Sequence, residues 1–377
     1  MTRAGAASAP AFSQRAAREA AGRTGPVTLE LIDIGKRVGA ETWLRDVTLR
    51  LEPGGFNVLL GATGAGKSTL IKIMAGLERP SSGAVKLDGA DVTSVSPQKR
   101  NVSLVHQFFV NYPHMSVFEN IASPLRVAGM ARSEIAGRVE AAADVLRLRP
   151  FLKRKPAELS GGQQQRTALA RAIVKESRVV LLDEPLANLD YKLREELREQ
   201  LPALFEGRGA VVVYATSEPG EALLLGGRTA TVHEGRVTQF GPTAEVFRAP
   251  RDLTTAAVFS DPPINMAPVE KRGGAIRLGR VEWRAEGASE ALPDGAYTIA
   301  LRPHELKPGA VWGVEVEGLV RVTELSGSES SAHVEIEGAV WVSQTHGVHP
   351  FEVGERHRFR FDPAACLFFA PDGRRAA

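Results

Sequence analysis

The sequence predicts an α/β domain with a helical insert, followed by a smaller all-β module. Three observations lead to this fold class. A β-rich stretch runs into a glycine-rich loop and then a helical stretch near residue 61, and continuous apolar runs follow at 179–182 and 210–214. After about residue 262, short alternating runs are broken by Gly, Pro and Asp. Continuous apolar runs are typical of central strands covered on both faces, whereas short alternating runs are typical of small all-β modules.

The composition is that of an ordinary globular protein with room for two domains, because 377 residues are many for one core. A net charge of only +3 gives no reason to expect a nucleic-acid partner. The one cysteine, Cys366, excludes an internal disulfide and fits a reducing cytosol. No apolar run approaches the roughly 18 residues that span a bilayer. Any membrane role would therefore be played from the membrane surface.

Residues 1–26 precede the first predicted strand and are rich in Ala, Arg and Ser. They lack the apolar run of a secretory signal, although their composition resembles that of an organellar transit peptide. A disordered tail or a start codon placed too far upstream is the simpler interpretation, and we expect a disordered tail.

The first strands of the α/β domain are predicted at 27–34, 47–51 and 56–60, with a Pro-Gly-Gly turn at 53–55. The third strand leads into a glycine-rich loop, and helical spacing of apolar residues follows it. Strand, glycine-rich loop and helix form the context of a phosphate-binding loop. The loop reads Gly61-Ala62-Thr63-Gly64-Ala65-Gly66-Lys67-Ser68-Thr69.

This loop predicts an ATP site. Its backbone N–H groups and the following helix N-terminus would hold the β- and γ-phosphates. Lys67 would contact those phosphates, and Ser68 would hold Mg²⁺. An ordinary strand-to-helix turn needs neither the lysine nor the hydroxyl group after it, so the nucleotide site is the favoured interpretation.

The apolar run at 179–182 ends in two acidic residues, Asp183 and Glu184. Asp183, at the end of a buried strand, could orient Mg²⁺ through water, and Glu184 could polarise the attacking water as general base. A pair of solvated acids is the alternative, but the pairing with a phosphate loop upstream favours catalysis.

The helical insert is expected at about 108–175, and near its end it reads Leu159-Ser160-Gly161-Gly162-Gln163-Gln164-Gln165-Arg166. The phosphate loop, this stretch and the acidic strand end, in this order, resemble the ATP-binding-cassette (ABC) ATPases from about residue 27 to the C-terminus. The resemblance implies an α/β P-loop NTPase fold with a helical insert, followed by an all-β, OB-like domain. We expect the nucleotide-binding domain at 27–262 and a β-barrel-like accessory domain at 263–377.

The resemblance also implies roles for residues outside the phosphate loop. Gln107 is similar to the glutamine that touches Mg²⁺ or the attacking water and links the nucleotide to the helical insert. Asp190 closes the stretch Leu186-Ala187-Asn188-Leu189-Asp190, which resembles the family's D-loop. Four signature residues would cover the γ-phosphate of a partner subunit's ATP across a head-to-tail dimer. They are Ser160, Gly161, Gly162 and Gln163.

The stretches at 112–121, 301–304 and 367–373 resemble the sugar-importer branch of the family, which includes the maltose and sn-glycerol-3-phosphate transport ATPases. That branch implies a peripheral ATPase on the cytoplasmic face of the inner (plasma) membrane. Its partners would be a second ATPase subunit, transmembrane permease subunits and, indirectly, a solute-binding protein. The solute would be a sugar, a polyol such as glycerol, or a related small polar molecule.

Two positions depart from the family pattern. Ser217 stands where the branch has a histidine that contacts the γ-phosphate, and loss of one such donor typically costs about 10²–10³ in rate. We therefore expect an impaired catalytic site and favour a heterodimer with a histidine-bearing ATPase, although a homodimer in which Ser217 holds the water stays open. Val38 stands where an aromatic residue stacks on adenine. Trp43 could take over that contact or could pack inside the β-subdomain.

Other functional classes fit the sequence less well. Cassette proteins of DNA maintenance carry long coiled coils between the phosphate loop and the signature, and here about 90 residues intervene without sustained heptads. Translation cassettes carry two phosphate loops, whereas this chain has one. A third alternative, a nucleotide-sensing regulator that does not hydrolyse ATP, stays open because Ser217 replaces the histidine that contacts the γ-phosphate.

Overall fold

The computed structural model describes residues 27–108, 110–187, 189–205 and 209–377. The predicted tail at 1–26 and residue 188 of the predicted D-loop lie outside these ranges. The chain divides into two compact units after Ala244. The structure confirms the predicted fold class, an α/β domain with a helical insert followed by an all-β module.

The first unit begins with an antiparallel sheet in the order β2-β1-β4-β5. These strands are β1 (Leu29–Val38), β2 (Glu41–Leu51), β4 (Ser82–Leu87) and β5 (Ala90–Asp91). Strand β2 begins earlier than predicted, because its first half pairs with β1 while most of its side chains there stay in solvent. A half-exposed strand lacks the apolar alternation from which a strand is recognised.

The second sheet has the order β10-β9-β3-β8-β7-β6, and only the edge strand β10 runs antiparallel to its neighbour. Its strands are β3 (Phe56–Leu60), β6 (Val102–Val105), β7 (Val179–Asp183), β8 (Val211–Thr216), β9 (Arg228–His233) and β10 (Arg236–Pro242). Strands β3, β7 and β8 are buried along their whole length, as expected for the centre of a parallel sheet. The carboxyl ends of these strands therefore meet at one edge, where ligands bind in open α/β sheets.

The helices of this unit include the predicted insert. They are α1 (Lys67–Ala75), α2 (Val117–Val127), α3 (Arg132–Val145), α4 (Gly161–Val174), α5 (Tyr191–Phe205) and α6 (Pro219–Leu225). Helices α2 and α4 begin with reciprocal capping boxes, Ser116 with Glu119 and Ser160 with Gln163. Such boxes satisfy two backbone N–H groups that the first helical turn leaves free.

The second unit contains two antiparallel sheets, in the orders β13-β12-β11-β14-β20 and β15-β19-β16-β17-β18. The first is formed by β11 (Asn265–Arg272), β12 (Ala275–Leu278), β13 (Val281–Arg284), β14 (Gly295–Leu301) and β20 (Leu367–Phe369). The second is formed by β15 (Lys307–Pro308), β16 (Val314–Leu325), β17 (Glu329–Ile336), β18 (Ala339–His346) and β19 (Arg356–Phe361). Both sheets contribute to one core, which includes Trp341, Phe359 and Phe368.

This second unit starts before the boundary expected near residue 262, because two helices precede its strands. They are α7 (Thr243–Arg248), which spans the division, and α8 (Leu253–Val258). Arg302, just after β14, donates hydrogen bonds to the carbonyl oxygens of Phe247 in α7 and of Phe259 just after α8, and its guanidinium carbon lies 3.6 Å from the centre of the Phe247 ring. The two helices thus pack with the β-strands, which the break in sequence pattern near residue 262 does not reveal.

Candidate nucleotide site

The phosphate-binding loop follows β3 and is held by backbone contacts. The N–H of Gly61 donates to the carbonyl of Thr216 at the end of β8, at 3.3 Å. A Cβ atom at Gly61 would lie 2.2 Å from the carbonyl oxygen of Val232, and Gly66 has a φ of 109°. Only glycine fits so close an approach and adopts that left-handed conformation without strain. These two glycines therefore restrict the backbone conformation of the loop, whose N–H groups lie close to the start of α1.

Lys67, the first residue of α1, is 4% exposed and lies inside the loop. Its Nζ donates to the carbonyl oxygens of Gly61 at 2.7 Å and Ala62 at 3.0 Å, and lies 3.8 Å from Oε1 of Glu184. Burial lowers the pKa of Lys67, and the Glu184 and Asp183 carboxylates oppose that effect. The loop thus surrounds a buried ammonium group that an anion could reach.

Ser68 and Asp183 bring together a hydroxyl and a carboxylate oxygen. The Oγ of Ser68 donates to Oδ1 of Asp183 at 3.0 Å. Burial raises the pKa of Asp183, against the opposing effect of the Ser68 hydrogen bond. A divalent cation prefers such oxygen ligands, and its charge would offset the cost of burying the carboxylate.

Glu184 follows β7 with a φ of 46°, which is unusual for a residue with a side chain. Its N–H donates to the carbonyl of Ala215 at 3.0 Å, and its Oε2 accepts from Nε2 of Gln107 at 3.1 Å. Left-handed backbone of this kind costs of order 1–3 kcal/mol and persists where the surrounding structure requires it. Here it directs the carboxylate toward Lys67 and Gln107, which lie at the same edge of the sheet.

These residues line a cleft of about 550 Å³. Its predicted lining residues are Trp43, Thr63, Gly64, Gly66, Lys67, Ser68, Thr69, Gln107 and Glu184. Five further lining residues were not anticipated from the sequence, namely Glu41, Thr42, Arg45, Glu234 and Gly235. None of the five belongs to a motif, and Glu234 and Gly235 come from the turn between β9 and β10, about 170 residues beyond the phosphate loop. The remaining predicted loop residues, Gly61, Ala62 and Ala65, shape the cleft through their backbone.

Several predicted site residues lie outside the lining of this cleft. Val38, at the end of β1, is 42% exposed. Ser217 is exposed just beyond β8. The signature stretch at 160–163 starts α4, where Ser160 is exposed and accepts a hydrogen bond from the N–H of Gln163 at 3.3 Å. Asp190 accepts from the N–H of Leu193 at 3.0 Å and thereby caps the start of α5.

The loop that carries Ser217 rests on a buried polar cluster. The hydroxyl of Thr216 donates to Oε2 of Glu221 at 2.6 Å, and the hydroxyl of Tyr214 donates to the same oxygen at 3.0 Å. The N–H of Glu218 in turn donates to the Thr216 hydroxyl at 3.0 Å. Because Thr216 also binds Gly61, this cluster connects the Ser217 loop to the phosphate loop.

Family models match two parts of the chain, an ABC transporter model at residues 44–187 and a TOBE domain model at 299–369. The sn-glycerol-3-phosphate import ATP-binding protein UgpC of Cupriavidus pinatubonensis is 37% identical over 344 residues, which are 87% of this chain and 93% of that protein. The spermidine/putrescine import ATP-binding protein PotA of Pseudomonas aeruginosa is 41% identical over 286 residues, which are 75% of this chain and 79% of that protein.

Among solved structures, this chain is similar to the ATP-binding cassette MJ0796, whose structure is a dimer in a post-hydrolysis state bound to ADP and Pi. It is 29% identical with a TM-score of 0.53, over 57% of this chain and 98% of that chain. Of the helices within the described ranges, none combines the length and the apolar character needed to span a bilayer.

Proposed function

The chain belongs to the ATP-binding subunits of ABC transporters that carry a C-terminal TOBE domain, and from this premise we propose that it hydrolyses ATP to drive import of a small polar solute. One observation above all supports this proposal. The buried Lys67 of the phosphate loop, the strained Glu184 and Gln107 meet at the carboxyl edge of the parallel sheet. A phosphate-binding cation beside a carboxylate that can accept a proton from water suits water attack on a γ-phosphate.

In this proposal, different residues of the cleft bind the phosphates, hold Mg²⁺ and accept the proton from water. The loop N–H groups and Lys67 bind the β- and γ-phosphates, so Lys67 exchanges its contacts with the carbonyls of Gly61 and Ala62 for phosphate oxygens. Ser68, Asp183 and Gln107 supply hydroxyl, carboxylate and amide oxygens, a donor set that suits Mg²⁺. When bound, Mg²⁺ would neutralise charge on the phosphates. Glu184 takes a proton from the attacking water, and Gln107 holds its carboxylate in place.

We also propose that Ser160, Gly161, Gly162, Gln163 and Asp190 act across a dimer, at the partner subunit's ATP. Their position supports this, because none of the five lines this chain's cleft, and Ser160, Gly161 and Asp190 are exposed. The dimeric state of the similar MJ0796 cassette supports it further. The dimer would bind permease subunits at the cytoplasmic face of the inner membrane. A solute-binding protein would deliver the solute to the permease from the opposite face.

For the solute we favour sugars, polyols and their phosphates. The names of the UgpC relatives support this class, and UgpC of C. pinatubonensis matches over 93% of its length. PotA, named for polyamine import, matches over a smaller part of this chain. The solute itself would contact the permease and the binding protein, so those subunits, and not this chain, would select it.

We propose further that this chain pairs with a second ATPase whose corresponding residue is histidine. Ser217 is exposed beyond β8 and is too short to replace an imidazole at a γ-phosphate, whereas the signature stretch needed by a partner is complete. Such a chain would be weak at its own site and fully competent at its partner's site.

One experiment tests both the activity and the pairing. ATP turnover is measured for the purified chain, for Ser217→His and, as the matched control, for Ser217→Ala. We expect slow turnover that rises about tenfold or more in Ser217→His and is unchanged in Ser217→Ala. A wild type that already turns over rapidly, slows on Ser217→Ala and gains nothing from histidine would support a homodimer instead. No turnover in any of the three would leave a nucleotide-sensing regulator as the better function.

A further inference from the structure

We propose that the indole ring of Trp43 is the platform on which the base of the bound nucleotide stacks, and that Glu41 positions this ring. The proposal rests on the proposed function, since it concerns the same ATP site. It moves the base contact from the end of β1, where Val38 stands, to the first half of β2.

The first argument is the place of Trp43 in the cleft. Trp43 lines the same cleft as Lys67 and Ser68, and among the lining residues that the structure describes it is the one aromatic side chain. Val38 is branched and aliphatic, lies outside this lining and has no π face to offer a base. A purine held by its phosphates at Lys67 would thus find its aromatic partner on β2.

The second argument is the exposure of the ring. Successive side chains of a strand point to opposite faces, and in β2 the neighbouring Leu44 is 1% exposed and belongs to the core. Trp43 is 41% exposed. A tryptophan used for packing would bury far more of its surface, because its ring is among the largest apolar groups a core can hold. The packing role left open by the sequence is therefore the weaker explanation.

The third argument is that the backbone of Trp43 is fixed relative to the phosphate loop. Gly235, in the turn between β9 and β10, donates its N–H to the carbonyl of Ala65 at 2.9 Å and accepts from the N–H of Arg45 at 2.9 Å. A Cβ atom at Gly235 would lie 2.2 Å from the carbonyl oxygen of Trp43. The turn thus joins the phosphate loop to β2 and places the backbone of Trp43 beside that loop.

Glu41 fixes the orientation of the ring. The indole Nε1 of Trp43 donates to Oε2 of Glu41 at 3.1 Å. The two residues lie two positions apart and so share one face of the strand. This hydrogen bond restrains rotation of an otherwise exposed ring, which lowers the entropy that stacking would cost.

The test compares ATP with inorganic tripolyphosphate, which carries the phosphates without the base. Titration calorimetry in Mg²⁺ buffer would measure both ligands on the full-length wild type, Trp43→Ala, Trp43→Phe, Glu41→Ala and Val38→Ala. Loss of one base-stacking aromatic typically weakens binding by about tenfold or more, so we expect that loss for ATP in Trp43→Ala. Tripolyphosphate affinity should not change, and Trp43→Phe should restore most of the ATP affinity. Glu41→Ala should give a smaller loss, again for ATP alone.

Other outcomes overturn the proposal. It is wrong if Trp43→Ala weakens ATP and tripolyphosphate equally, if it weakens neither, or if Val38→Ala shows the ATP-specific loss instead. These results differ from a failure of the proposed function, in which the wild type itself would bind neither ligand. Tryptophan emission gives a second readout, because ATP but not tripolyphosphate should quench it in the wild type, and this quenching should vanish in Trp43→Phe.

Discussion

At the scale of single residues, Glu221 is a buried carboxylate beneath the loop that carries Ser217. It is 4% exposed and accepts hydrogen bonds from Tyr214 and Thr216. Burial raises the pKa of Glu221 and the nearby Glu218 carboxylate adds to that rise, while the hydrogen bond from Thr216 and the charge of Arg198 oppose it. The folded protein therefore holds the Glu221 proton more tightly than the unfolded chain does.

This shift predicts a pH-dependent stability difference between the wild type and Glu221→Gln. The stabilisation from the bound proton is fully present below the ordinary glutamate pKa of 4.5 and is lost as pH rises through the higher folded value. The wild type should thus lose stability relative to Glu221→Gln as pH rises from about 4.5 through the higher folded pKa of Glu221, with a slope of at most about 1.4 kcal/mol per pH unit. Urea unfolding across this range measures the difference. The exposed Glu52→Gln controls for the lost charge, and a pH-independent difference for Glu221→Gln would contradict the argument.

The residues of the site divide into those that a sequence can reveal and those that it cannot. Lys67, Ser68 and the acids Asp183 and Glu184 stand in short motifs, because the chemistry needs them at set positions beside a loop or a strand end. Glu234 and Gly235 reach the cleft only because β9 pairs with β3 and its turn folds back onto Ala65. No local pattern records such a tertiary contact.

At the scale of elements, the helix that follows the phosphate loop depends on one buried arginine. Helix α1 ends before Gly76, and Nη1 of Arg100 donates to the carbonyls of Ile73 at 2.8 Å and Met74 at 2.9 Å. The same guanidinium donates to the carbonyls of Val95 at 2.8 Å and Thr93 at 3.0 Å. A cation at a helix C-terminus also interacts favourably with the helix dipole. Arg100 thus joins α1 to the segment before β6.

We therefore expect Arg100→Met to destabilise the protein by about 3 kcal/mol, because it leaves several buried carbonyls without a donor. Arg100→Lys should lose less, since an ammonium group can still bind some of these carbonyls. The exposed Arg50→Met is the matched control and should cost at most about 0.5 kcal/mol. Chemical denaturation of the three variants checks the order. Equal stabilities for Arg100→Met and Arg50→Met would refute the role of Arg100 as a helix cap.

The elements also show where sequence patterns stop being informative. Strands β7 and β8 are built on continuous apolar runs, and β3 leads directly into the glycine-rich loop, so the sequence reveals all three strands. Strand β11 is hard to recognise from the sequence, because Pro268 and the charged residues on its exposed face obscure its alternation, although every second residue is buried. Helices α7 and α8 are too short for the sequence to show which unit they pack with, whereas the structure shows Arg302 bonded to the carbonyl groups of Phe247 and Phe259.

At the scale of the whole molecule, the proposed catalytic groups and the signature stretch lie at different places in the first unit. The cleft contains Lys67, Gln107 and Glu184, whereas Ser160 starts a helix outside the lining of that cleft. A complete site would therefore need a second subunit. Sequence motifs could suggest this arrangement only through resemblance, because a dimer interface leaves no periodic pattern in one chain.

The most direct test of the central claim compares Lys67→Ala with Glu184→Gln for ATP binding, ATP turnover and ATP-dependent dimerisation. Lys67→Ala should lose ATP affinity, because it removes the buried cation of the phosphate loop. Glu184→Gln should bind ATP as the wild type does, lose turnover and accumulate as an ATP-bound dimer, because the amide keeps the shape but cannot accept the proton from water. Equal turnover in the wild type and Glu184→Gln, or unchanged ATP affinity in Lys67→Ala, would contradict the account.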